Sequence, residues 1–286
     1  MDWLGAVQRL RREGRPGVLV TVTSVRGHAP REAGAKMVVS ADGSWGTIGG
    51  GNLEATAIEQ ARVLIAAGTL VPLTLAAALN EHETNRHGQQ CCGGVVDVFL
   101  EPLPARPVVA VFGIGHVGLE LGRILSRLPL VVHLADSRSA QLTAAAGLGL
   151  EDGPADVHLT HAPIPETLMA ALPGGAHVLI MSHDHAEDMV LCDAALRRGD
   201  LGSIGLIGSS AKWARFRKRL REAGHTDAAI DTITCPIGLP GLHGKEPAVI
   251  AISTAAALLE ALQREPGAGL HAADASAALT PGAPGK

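Results

Sequence analysis

The chain has 286 residues, enough for one or two domains that each bury a core of their own. With no tyrosine, three phenylalanines and three tryptophans, those cores must be built from Ala, Val, Leu and Ile. A net charge of −4 and the shortage of stacking aromatics speak against nucleic-acid binding. No apolar run of about 18 residues predicts a membrane span. The expected setting is cytoplasmic: Arg9, Arg11 and Arg12 stand where a secretory signal would need an apolar stretch, and four scattered cysteines make no disulfide framework.

In chain order, Asp2 is placed to cap a helix carrying Trp3, Leu4, Val7 and Leu10 at helical spacing. Strands are expected at Gly17–Val25, Ala35–Ser40 and Ser44–Ile48, the last two joined by a turn at Ala41-Asp42-Gly43. The intervening loop, Arg26 to Glu32, reads as an exposed connection. Gly49-Gly50-Gly51 then precedes a helix over Leu53–Ala67. Three consecutive glycines are costly to order, so they make either a tight turn or a cradle of backbone N–H groups for an anion. A strand from Val71 and a polar loop over Asn80–Gln90 lead to Cys91-Cys92-Gly93-Gly94 and a strand at Val95–Leu100. Adjacent cysteines lack the spacing of a zinc ribbon, whereas a thiolate before a strand suits a soft metal or a sulfur donor. Cys91 and Cys92 are therefore candidate metal and cofactor ligands.

Pro102, Pro104 and Pro107 mark the expected domain boundary, dividing residues 1–104 from 105–264. Beyond it, strands at 108–112, 131–135, 157–160, 177–181 and 202–207 alternate with helices at 117–128, 139–146, 164–172, 186–198 and 210–223. That alternation predicts an α/β fold: a Rossmann-like parallel sheet following a smaller N-terminal α/β domain. Gly113, Gly115 and Gly118 form a G-x-G-x-x-G turn between the first of these strands and its helix, and Asp136 ends the next strand, as in a dinucleotide site. This pattern taken alone points to NAD(P) and an oxidoreductase. His183, Asp184 and His185 follow the 177–181 strand, where α/β sheets place ligands; helix capping explains Asp184 but not the histidines. On the helix from Ser210, Trp213, Phe216 and Leu220 form an apolar stripe, and the cations from Lys212 to Arg221 read as a solvated face. Pro247 opens a closing helix to Leu262, and 265–286 reads as a disordered tail.

The segments GHAPREAGAKMVV, GTIGGGNLE, GQQCCGGVVDVFLEPL, VFGIGHVGLELG, ADSR, SHDHAEDMVLCDAALRRGD, GLIGSSAKWARFRKRL and CPIGLPGL, in this order, resemble the XdhC family of xanthine dehydrogenase accessory proteins. The resemblance implies a non-catalytic chaperone of the molybdenum cofactor (molybdopterin). Such a protein holds the cofactor while a cysteine desulfurase exchanges an oxo ligand for sulfur. It then helps load apo-xanthine dehydrogenase or a related molybdenum hydroxylase, often as a homodimer. It places Cys91 or Cys92 beside molybdenum and assigns cofactor contacts to Gly49, Gly50, Gly51, Gly113, Gly115, Gly118, His183, Asp184 and His185. The chain departs from the family pattern at His28, where relatives carry Ser before Ala-Pro-Arg. It departs again at Pro240-Gly241-Leu242 and Lys245-Glu246-Pro247. A thiol- or metal-dependent regulator using the cysteine pair and the histidines is a third reading of the same residues.

Overall fold

The computed structural model describes residues 2–78 and 94–264. Cys91 and Cys92, with the loop before them, and the tail from residue 265 lie outside the described residues. The chain divides into two compact units. Of the described residues, one contains 2–6, 17–78 and 94–104; the other contains 7–16 and 105–264. The division falls inside the first helix, α1 (Trp3–Arg12), which Asp2 caps by accepting from Gly5 N at 2.8 Å.

In the first unit, β1 (Gly17–Arg26), β2 (Lys36–Val39), β3 (Ser44–Gly46), β4 (Leu73–Ala78) and β5 (Val95–Leu103) form an antiparallel sheet in the order β3-β2-β1-β5-β4. The helix α2 (Gly51–Ala67) crosses it. Alternation along β1 sends Val18, Val20 and Val22 into a core shared with Met37, Ile48, Leu53, Ala57, Val98 and Leu100. The small side chains Ala57 and Ala61 let α2 approach that face closely. Several expected limits move, by one or two residues at β2, β3, α2 and β4 and further at β5. β3 stops at Gly46, whose φ of +84° leaves strand geometry, and β5 runs on to Leu103, with Pro102 opposite Val18.

The second unit holds a six-stranded sheet in which every pairing is parallel: β6 (Val108–Phe112), β7 (Val131–Asp136), β8 (Asp156–His161), β9 (His177–Ile180), β10 (Ser203–Leu206) and β11 (Ile233–Thr234). Their order, β11-β10-β9-β6-β7-β8, is the doubly wound Rossmann arrangement, with its topological switch between β6 and β9. All five residues of β6 are buried, as a central parallel strand covered on both faces requires. Around the sheet lie α3 (His116–Leu125), α4 (Ser139–Ala146), α5 (Pro165–Ala171), α6 (His185–Arg198), α7 (Ser210–Glu222), α8 (Asp227–Ile230) and α9 (Pro247–Gln263). α3 ends at Leu125, three residues short of expectation. β11 is an addition: with two residues, it has no periodicity to read. No described helix is long and apolar enough to cross a membrane.

Candidate functional site

In the first unit, sequence-distant glycines meet one loop. Gly49, Gly50 and Gly51 have φ of +125°, +71° and +63°, so side chains at these positions would be strained. A Cβ on Gly49 would stand 3.0 Å from Pro30 Cβ, and one on Gly94 would stand 2.3 Å from the His28 carbonyl oxygen. The Arg26–Glu32 loop, expected to be a mere connection, therefore lies against both the glycine turn and the residue at which the described chain resumes after Cys91-Cys92-Gly93. Its residues remain largely exposed. Only long-range pairing of β1 with β5 and β2 creates this convergence, so local spacing carries no sign of it.

The glycine turn already holds an anion of its own. Glu54 Oε2 accepts from Ile48 N at 3.1 Å, Gly50 N at 3.0 Å and Thr47 Oγ1 at 2.5 Å, while Thr47 Oγ1 accepts from Gly49 N at 3.1 Å. Gly50 has no side chain with which to cap α2; Glu54 supplies the carboxylate from inside the first turn.

In the second unit, the G-x-G-x-x-G residues have three different duties. Gly113, at φ +109°, presses on the Met181 carbonyl, which a Cβ would approach to 2.2 Å. Gly118 packs on the Gly113 carbonyl, where a Cβ would stand at 2.1 Å. A Cβ on Gly115 would meet nothing within 4 Å and would enter open space. That space is a cavity of about 430 Å³ lined by Gly115, His116, Gly118, Arg138, Gln141, Ser182 and His183 among others, with Pro247 at its edge. It lies beyond the carboxyl ends of β6, β7 and β9, at the switch point.

Asp136 does not line this cavity. Its side chain is 2% exposed and both its oxygens are engaged. Oδ2 accepts from Ile114 N at 2.8 Å and Arg138 Nη2 at 3.0 Å, and Oδ1 accepts from Arg138 N and Nε, each at 2.9 Å. Burial pushes this carboxyl up, but the bonds from Arg138 and Ile114 outweigh it and hold the group below the ordinary carboxylate range. Of the His-Asp-His segment, His183 lines the cavity. Asp184 caps α6 by accepting from Ala186 N at 2.9 Å, and His185 is the exposed first residue of that helix.

A buried pair nearby was not anticipated. Lys212, expected on a solvated face, is 7% exposed at its side chain and bridges Asp188, which is fully buried, at 2.5 Å; it also donates to the Ile207 carbonyl at 2.8 Å. Asp188 Oδ1 accepts from Ser182 N at 2.9 Å, fastening the cavity's Ser182 wall to α7. The signal was present: Lys212 lies four and eight residues before Phe216 and Leu220, on the apolar stripe itself.

Among the described residues, no three His, Cys, Asp or Glu side chains cluster to hold a metal ion. Both described thiols are displaced upward by burial, Cys235 to about 11 and Cys192 further, so neither is a thiolate at neutral pH.

The XdhC Rossmann domain matches residues 109–258, and the XdhC and CoxI family matches residues 10–74. In Escherichia coli (strain K12), YqeB, an uncharacterized protein, is 27% identical over 260 residues, covering 91% of this chain but 46% of its own length. The chain thus spans about half of that relative. PaoD of the same strain, a molybdenum cofactor insertion chaperone, is 26% identical over 261 residues, with 79% of this chain and 77% of PaoD covered. A crystal structure of a xanthine dehydrogenase from Bacillus halodurans is 19% identical with a TM-score of 0.45, covering 93% of this chain and 97% of that one. With a family match over the doubly wound sheet and a second over the strands and glycine turn that precede it, the chain belongs to the XdhC family.

Proposed function

We propose that this protein is a molybdenum-cofactor accessory protein. It binds the molybdopterin, holds it while a cysteine desulfurase replaces an oxo ligand by sulfur, and delivers it to apo-xanthine dehydrogenase or a related molybdenum hydroxylase. It acts as a non-catalytic carrier in the cytoplasm, as a homodimer. The observation that carries this reading is the similarity to PaoD, which covers 79% of the chain and so reaches beyond the Rossmann unit. The chemistry supports it: Cys91 and Cys92 supply soft ligands suited to molybdenum, and glycine turns at helix starts suit a phosphate. The NAD reading lacks such support, because the carboxylate that would take ribose hydroxyls is already engaged by Arg138 and Ile114.

Metal analysis of protein freshly purified from cells that make the cofactor tests the reading. Molybdenum approaching one equivalent is the expected result; zinc or iron in its place supports a thiol-dependent regulator. Saturable NADH or NADPH binding with turnover would establish an oxidoreductase. Cys91→Ala and Cys92→Ala, singly and together, should lower cofactor retention by about tenfold or more. Unchanged retention in the double variant removes the thiolate ligand.

A further inference from the structure

The cavity beside Gly115 has the glycine turn of a dinucleotide fold without the acceptor such a site needs for ribose. A free carboxylate at the end of the second strand ordinarily accepts from the ribose hydroxyls. Here that position is Asp136, withdrawn from the cavity and holding Arg138 through Nε and Nη2. What lines the cavity instead is Arg138, whose side chain is about one-third exposed and whose Nη1 makes no hydrogen bond among the described residues. The rest of the lining agrees in sign. His116, Gln141 and His183 line it with groups able to donate, and among the described residues no Asp or Glu lines the cavity. Glu187, which acts on Arg138 besides Asp136, accepts from Ser137 Oγ at 2.8 Å and is not among the lining. The first residues of two helices, His116 of α3 and Pro247 of α9, are among its lining.

We propose that this cavity binds the phosphate or diphosphate end of an organic phosphate. Arg138 reads the anion, Asp136 aims Arg138, and Gly115 lets the anion reach the backbone. The site is an anion clamp where fold relatives that take NAD build a ribose clamp, and it disfavours NAD for want of a free ribose acceptor. The inference rests on the accessory-protein reading only for the identity of the phosphate's owner, which there is the pterin cofactor.

Inorganic pyrophosphate is the probe, titrated into the full chain by calorimetry and by amide chemical shifts. Saturable binding is expected, with shifts at Gly115, His116 and the Arg138 Nε–H. Arg138→Gln should weaken it by about tenfold or more, as expected for a lost hydrogen bond to a charged group. Gly115→Val should do the same at an unchanged melting temperature, because its Cβ enters empty space at a φ of −75° that any residue adopts. This variant decides the matter if Arg138→Gln fails to fold. In Asp136→Asn the Arg138 Nε–H should no longer respond to pyrophosphate; a normal response removes the positioning role. Absence of pyrophosphate binding in the wild type, or binding unchanged in Gly115→Val, overturns the site, and so does NADH binding tighter than pyrophosphate. If pyrophosphate binds as expected but no molybdenum cofactor is retained, the clamp stands and the accessory reading falls. If cofactor retention is intact in Gly115→Val and Arg138→Gln although both lose pyrophosphate, the accessory reading stands and the phosphate read here is not the pterin cofactor's.

Discussion

Lys212 and Asp188 show how one side chain can set the shape of a ligand wall. Each is buried and each has a second partner, the Ile207 carbonyl and Ser182 N, so removing either strands the other in a dry environment. Lys212→Met should therefore cost about 3–5 kcal/mol in urea unfolding. Replacing both, as Lys212→Met with Asp188→Leu, should recover much of that loss, since an apolar pair of similar volume bears no desolvation penalty. A double variant no more stable than Lys212→Met would show that the Ser182 contact, not the pair, carries the energy. The same burial could have been read from position alone, because a lysine four residues before a core phenylalanine shares its face. Composition, which counts Lys212 merely as one more cation, conceals it.

Among the elements, long patterned segments were legible and short or long-range features were not. β6, with five consecutive buried residues, and the glycine turn after it follow directly from an apolar run that ends in G-x-G-x-x-G. β11 did not, because two residues paired to β10 acquire strand character from their neighbour. The candidate site divides in the same way. Gly115 stood out by spacing, yet the burial of Asp136 against Arg138 is a consequence of local hydrogen bonding that a motif does not encode. Glu54 was passed over because its partners, at Thr47, Ile48 and Gly50, precede the helix it belongs to. Glu54→Ala should leave two turn N–H groups unmatched and cost about 1–2 kcal/mol in denaturant unfolding. Glu54→Gln, which keeps an acceptor oxygen, should cost less. Equal losses would assign the effect to the charge at the start of α2 alone.

At the scale of the whole molecule, two sheets of opposite habit share one chain, one antiparallel and one parallel, both filled with aliphatic side chains. The parallel sheet carries a built-in sensitivity to acid. His133 on β7 stands opposite His158 on β8, rings stacked at 4.9 Å, and burial, reinforced by His158 and opposed by Asp156, pushes the His133 imidazole down to about 4. The folded state thus refuses a proton that the unfolded chain accepts near 6.5. Stability from this group is complete above that value and is lost as pH falls from 6.5 towards 4. The melting temperature of the wild type should drop through this window by on the order of a few degrees more than that of His133→Leu. Parallel curves would remove the effect. Finally, the segment Val7–Pro16 belongs to the second unit although most of that unit follows residue 104. Arg11 faces Asp156, and Gly14 is seated on Arg106 and Val108. At roughly 5–20 residues per second of synthesis, Arg11 waits on the order of ten seconds for its partner to leave the ribosome. The first unit has its strands in hand while the second is still missing most of its sheet, so a stretch made before the first sheet finds its place after it.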